Sequence, residues 1–257
     1  MAGIVGIDEA KVVADALARQ RGVTLAETTP SAISPSLLAF CREDLGADPA
    51  FVPVVENPDG IHGFCNLTVA AKVQHQGGGP LHGWIVWELP GALWTAEFHV
   101  VWKSPDGTLV DVTPKPDGET SILFVPDDSY PSDFDFATRP LNRRRRARPD
   151  LDRAAIVATA ISGLAESQKA YEARRATKVG LTLSEWMERK VPTDPLNEQI
   201  DKVVRVTCEF EAHRDSLTRG SNYFTPDRKF ITLNQDAARA LEKLKAMLAR
   251  TAGARRG

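Results

Sequence analysis

A β-hairpin signal near the middle of the chain constrains the fold more than any other feature. Leu93 to Trp102 is an apolar and aromatic run interrupted only by Thr95, Glu97 and His99, and Thr108 to Thr113 is a shorter run that carries Asp111. Between them stands Ser104-Pro105-Asp106-Gly107, with proline second and glycine last, the residue order of a type I turn. With Gly107 in the left-handed position that closes such a hairpin, Ser104 faces Thr108. Counting outward, Val101 faces Asp111 and His99 faces Thr113. Side chains alternate along a strand, so His99, Val101, Asp111 and Thr113 share one face. His99 and Asp111 become diagonal neighbours, roughly 7 Å apart at Cβ. A slip of one residue in the pairing would put them on opposite faces.

Other elements gather around this hairpin. Trp84 to Leu89 reads as a strand, Phe51 to Val55 as a short one, and Ser121 to Val125 as the last. Upstream, Cys65 opens a segment in which Leu67, Ala70, Ala71 and Val73 mark one buried helical side, and Gly77-Gly78-Gly79-Pro80 ends it. The glycine triplet lacks the Lys-Ser or Lys-Thr of a phosphate loop, so it reads as a tight turn. Helices are expected over 7–21 and 36–44, and Pro126 to Arg139 reads as an acidic, aromatic surface loop. Past residue 140 helices take over: 151–175, a short one begun by the capping box Thr182…Glu185, 196–216, and a final 237–250 capped by Asn234 after a loop or short strand at 226–233. The expected fold class is α+β, with the cysteine helix packed on an antiparallel sheet and additional helices at the C-terminal end. The expected division is 1–140 as an α+β core and 141–257 as a helical region packed on or beside it.

Composition narrows the function classes. Hydrophobic residues make up 42% and charged residues 26%, ordinary for a globular chain, and the net charge of −2 gives no global pull toward nucleic acid or membrane. No apolar run approaches the roughly 20 residues that span a bilayer, and the first segment, with Asp8 and Glu9, does not read as a secretory signal. Cys41, Cys65 and Cys208 form neither a disulfide framework nor a paired metal spacing. A reducing, cytoplasmic setting is the expectation, and it keeps a thiol nucleophile available.

Along the chain, Cys65, His99 and Asp111 supply a thiol, an imidazole and a carboxylate, read here as nucleophile, base and orienter of the base. A helix N-terminus at Cys65 favours a thiolate through its unpaired amides and dipole. Those amides, with Asn57 or Asn66 as side-chain donor, are candidates to hold an oxyanion, and Trp84 is a candidate wall of a substrate groove. The segment His99-Val-Val-Trp102, then Asp106-Gly107, then Asp111-Val-Thr-Pro114 resembles the histidine–tryptophan–glycine–aspartate–proline region of the transglutaminase-like branch of the papain-like cysteine enzymes. In that family a cysteine heads a core helix, a histidine sits on a following strand and an aspartate on the next. The resemblance covers Phe64 to Pro114 and departs in detail: two residues separate His99 from Trp102, and two stand between Asp111 and Pro114. It implies a papain-like or transglutaminase-like core and thiol chemistry on an amide, by peptide hydrolysis, deamidation or transamidation.

The reading that follows is a cysteine-dependent amide hydrolase with the triad Cys65, His99 and Asp111, a protein or peptide substrate, no cofactor and no metal. His62, Cys65, His75, His82 and His99 offer nitrogen and sulfur, but not at a recognised zinc spacing. The alternative is a non-catalytic binding module that recruits a protein or nucleic acid through its helical half and the basic run Arg143, Arg144, Arg145 and Arg146. Acidic residues just upstream of that run, Asp127, Asp128, Asp133 and Asp135, favour an internal electrostatic clasp or a solvated loop over a phosphate-binding face.

Overall fold

The computed structural model describes residues 27–55, 57, 60–115, 118–218 and 224–254; the helix expected over 7–21 lies outside them. Contacts divide the chain into two compact units, residues 1–147 with 199–257, and residues 148–198.

The first unit is built on an antiparallel sheet of β1 (Ala50–Pro53), β2 (Gly79–Leu89), β3 (Leu93–Lys103), β4 (Leu109–Val110), β5 (Ser121–Pro126) and β6 (Arg143–Arg146). Its order is β1-β5-β2-β3-β4, with β6 also on β3, and every ladder is antiparallel. With helix α1 (Pro35–Phe40) and helix α2 (Cys65–Gln76) against it, the fold is α+β. Helix α1 starts on Ser34, whose hydroxyl accepts from the Leu37 amide, and widens into a π-helical turn over Cys41–Leu45.

The hairpin turn closes in the expected register. Trp102 pairs with Val110 and Lys103 with Leu109, the Ser104 amide donates to Thr108 O, and Gly107 has a φ of 90°. Beyond Val110 the chain leaves β3 and turns to β1. The Asp111 amide donates to Pro53 O at 2.9 Å, Val55 to Asp111 O at 2.9 Å and Asn57 to Val112 O at 3.1 Å, a parallel contact between Val54 and Asp111. The curled sheet thus rejoins its own outer strands.

Both faces of the sheet are buried, which is why its strands read as continuous apolar runs rather than alternating ones. Val52, Ile85, Val101, Ile122 and Phe124 fill one face. Trp84, Val86, Trp94, Phe98, Leu123 and Val125 fill the other, against Leu37, Phe40 and Cys41. Helix α2 lies over Val100 and Val112 through Cys65 and Val69. Its exit is a glycine turn: Gly77 and Gly78 have φ of 71° and 79°, and a Cβ on Gly78 would stand 2.3 Å from Lys103 O. Trp102 Nε1 donates to Gly77 O at 2.9 Å and fixes that end of the helix to β3.

Two long helices complete this unit. Helix α6 (Pro195–Thr218) buries Ile200, Val203 and Val206, and α7 (Arg228–Ala254) buries Ala237, Ala240 and Leu244, at helical spacing. Gln199 Nε2 donates to Ala240 O at 2.9 Å. Asn234 lies inside α7 rather than capping it, and 228–233 is helix rather than loop or strand. Asp227 caps instead, accepting from the Phe230 amide at 2.7 Å. In the second unit the single helix expected over 151–175 is two, α3 (Arg153–Ser162) and α4 (Glu166–Lys178), parted at Gly163. The capping box is present at α5 (Leu183–Glu188), where Thr182 Oγ1 accepts from the Glu185 amide and Glu185 accepts from Thr182 N. Among the described residues no helix is long and apolar enough to cross a membrane.

Gly83 pairs with His99 and with Pro126, and an added Cβ would stand 2.2 Å from Val125 O and 2.6 Å from Phe124 Cζ. Backbone cannot retreat as a flexible side chain does. Gly83→Ala is therefore expected to destabilise the protein by about 1–3 kcal/mol in urea denaturation. Gly91→Ala, where only a positive φ opposes the change, is expected to cost less; an equal cost would contradict this packing.

Candidate functional site

The site begins as an opening in the sheet. On one edge of β3, β6 pairs with Leu93 to Ala96 and β4 with Trp102 and Lys103. Among the described residues, Glu97 to Val101 have no strand beside them on that edge, and His99 is the middle residue of the gap. The chain that leaves β4 at Val110 skirts the opening, carrying Asp111. Cys65, the first residue of α2, packs in one cluster with Val100 of β3 and Val112 beyond β4, and so sits over the parting.

The loop ahead of Cys65 is pinned. Thr68 Oγ1 donates to Phe64 O at 3.0 Å and accepts from the Ile61 amide at 3.2 Å. His62 Nδ1 lies 3.1 Å from Pro114 O, which ties this loop to the segment after Asp111. The helix then runs for twelve residues with no acidic residue in its first turn, so its N-terminal dipole acts on Cys65 uncompensated from within that turn.

The expected ladder does not reach Asp111: β4 ends at Val110 and Asp111 turns to β1 instead of facing Val101, yet the two side chains still meet, with His99 Nε2 3.0 Å from Asp111 Oδ2 and both residues buried. An ionised carboxylate only accepts, so Nε2–H donates, and Nδ1 is the ring nitrogen turned away from Asp111. Two further donors hold the carboxylate. Thr113 N donates to Oδ1 at 2.9 Å, and Lys115 Nζ lies 2.6 Å from Oδ2 with both side chains buried. Lys115 was not among the residues that the sequence singled out; it stands one position beyond the resembling stretch.

Charge and burial set the proton affinities. Burial alone would lower the His99 pKa, but the Asp111 carboxylate, then the Cys65 sulfur, outweigh it despite the opposing Lys115, and the value rises to about 9. Burial pushes Asp111 up, but His99 and then Lys115 more than reverse this and hold it well below the usual carboxylate range. Cys41 contrasts with these groups: burial and nearby Asp48 push its thiol up to about 12.

The structure joins His99 to Asp111, packs Cys65 against their chain neighbours Val100 and Val112, and leaves other expected residues apart. Trp84 offers no wall to a groove: it is 0% exposed in the core, donates through Nε1 to Asp127 at 3.3 Å and lies under Arg143. A strand with both faces buried leaves its aromatic side chains no solvent side. Asn66 is half-buried in the first turn of α2, and the Asn57 backbone pairs with Val112 on the other flank of Asp111. His82 packs on Phe98 and Phe134, while His75 is exposed at the far end of α2. The basic run is strand β6, engaged inside the protein. Arg144 makes a bidentate pair with Glu211, Arg145 binds Glu43 and Asp44, Arg146 binds Asp201, and Arg143 donates to Asp44 O.

Comparison with known proteins returned no match: no family model matches the chain, and no curated protein and no solved structure is significantly similar to it.

The raised His99 value carries a stability consequence. Imidazolium stabilisation is complete below the ordinary histidine value of 6.5 and is lost as the pH climbs through about 9. The stability difference between the wild type and His99→Gln, read from urea curves, is therefore expected to shrink between pH 6.5 and 9. A difference constant across that window would contradict the charged pair.

Proposed function

We propose that this protein is a cysteine-dependent amide hydrolase, acting on a peptide bond or a side-chain amide, and that its helix-on-sheet core is of the papain-like or transglutaminase-like kind. The observation that carries this reading is the buried Nε2–Oδ2 bond between His99 and Asp111, 3.0 Å long, in an opening of the sheet capped by a helix whose first residue is Cys65.

In this reading each atom has one task. The Asp111 carboxylate fixes the ring with Nε2–H inward, which turns Nδ1 toward the sulfur. Proton transfer from Cys65 to Nδ1 yields a thiolate and an imidazolium, and the raised His99 value favours that pair near neutral pH. Sγ attacks the amide carbon to give a tetrahedral oxyanion, which the first-turn amides of α2 would hold, with Asn66 the nearest side-chain donor in sequence. As the C–N bond breaks, the Nδ1 proton passes to the leaving nitrogen. Water then adds to the thioester, giving a proton back to His99, and the C–S bond breaks to release the acid. An amine in place of water would complete transamidation; hydrolysis is preferred because water is always available and no amine site is identifiable in the sequence. The reading needs no cofactor. The rival is a non-catalytic module that recruits a protein or nucleic acid through its helical half and the basic run; the partners that all four arginines of β6 have within the protein favour the hydrolase over the nucleic-acid arm of that rival.

Two measurements test this function. Cys65 is itself buried at 6% exposed, yet iodoacetamide at neutral pH is expected to label it ahead of both Cys41, 0% exposed with its thiol pushed up to about 12, and the more exposed Cys208, and His99→Ala is expected to remove that lead. Incubation with a peptide library, read by mass spectrometry, is expected to show amide cleavage or a deamidation mass shift that Cys65→Ala abolishes. Asp111→Asn is expected to slow it by about 10²- to 10⁴-fold. Identical product spectra for the wild type and Cys65→Ala would remove the hydrolase reading.

A further inference from the structure

Asp111 has more partners than an orienting carboxylate needs. His99 Nε2 and the Thr113 amide already occupy one oxygen each, at 3.0 and 2.9 Å. Lys115 Nζ then approaches Oδ2, the oxygen that His99 uses, to 2.6 Å, closer than the imidazole itself. The lysine side chain is 5% exposed and the carboxylate 0%. Taking an ammonium out of water is costly, and a neutral residue would fill the space without that cost. The charge is therefore the feature to explain.

We infer that Lys115 is a positioning residue for the proposed hydrolysis: by sharing Asp111 Oδ2 with His99, its ammonium weakens the hold of the carboxylate on the imidazolium, so that Nδ1 can release its proton to the leaving amine. The inference rests on the hydrolase reading of the same site. Its basis is two groups on one buried oxygen, His99 Nε2 at 3.0 Å and Lys115 Nζ at 2.6 Å from Asp111 Oδ2; in the proposed reaction the Cys65 thiolate extends these to a row of alternating charges: sulfur, ring, carboxylate, ammonium. Each ion in the row has an opposite neighbour, so the burial of each is offset. Without the fourth member, the row would be Cys65, His99 and Asp111, two anions flanking one cation. The ring would then keep its proton too firmly to serve as a general acid, because a donor works best when its pKa lies near the working pH. Burial lowers the proton affinity of His99, Asp111 and Cys65 raise it, and Lys115 acts with burial to lower it.

The test is an NMR titration of the His99 ring in the full-length wild type, Lys115→Met, Lys115→Gln and Lys115→Arg, paired with the pH profile of Cys65 alkylation. Both neutral variants are expected to raise the His99 pKa by about one unit and to carry the upper limb of the alkylation profile with it. Lys115→Arg, which keeps the charge, is expected to stay near the wild type. A merely structural lysine would change stability without moving either profile. An unmoved pKa in the neutral variants, or unfolding of both of them, overturns the role of Lys115 whatever the enzyme does. A moved pKa in a protein that shows no Cys65-dependent amide cleavage overturns the hydrolase reading instead.

Discussion

A single buried carboxylate organises the region around the candidate site. Asp111 is fully buried, and each of its three donors comes from a different piece of folding. His99 reaches it only if the hairpin closes in one register, and the Thr113 amide only if the chain turns sharply after Val110. Lys115 reaches it only if that segment continues inward. The Asp111 backbone meanwhile joins β1, with its amide on Pro53 O and its carbonyl accepting from Val55. An unpaired carboxylate in that position would be too costly to bury. Closure of the sheet and assembly of the site are thus one event, and a change that loosens either loosens both.

The opening in β3 follows from how its two short neighbours end. Strand β4 stops because Asp111 turns to β1, and β6 covers only the other end of the same edge. Four consecutive arginines are an unusual strand. Alternation sends Arg143 and Arg145 toward α1 and its π-helical extension, where Asp44 and Glu43 wait, and sends Arg144 and Arg146 to Glu211 and Asp201 of α6. The strand therefore clamps elements on both faces of the sheet and leaves the middle of β3 to His99.

Much of this arrangement was legible in the sequence, because short-range chemistry sets it. The Ser104-Pro105-Asp106-Gly107 turn fixes one register, which brings Asp111 to the level of His99, while the turn of Asp111 to β1 that completes their meeting was not legible. The glycine run after α2 marks a turn that only glycine tolerates, and Thr182 with Glu185 marks a helix start. What escaped was decided by partners remote in sequence. Nothing local shows that Arg143 to Arg146 form a strand, since the acids that neutralise them lie about a hundred residues before and some sixty after. Trp84 suggests a groove wall by type, yet Arg143 and Asp127 enclose it. Asn234 has the right chemistry for a cap, but Asp227 sits earlier and takes the position. Lys115 is an ordinary surface residue by type, and only the fold shows it buried against Asp111.

The orientation of the His99 ring is the point on which the proposed chemistry turns, and it can be read without a substrate. Nitrogen-15 NMR of selectively labelled histidine, recorded above about pH 9 where the ring is neutral, distinguishes its two tautomers. The expected result is a proton retained on Nε2, facing Asp111, and a bare Nδ1 facing Cys65. A neutral ring that carries its proton on Nδ1 would leave the sulfur without a base and contradict the proposal.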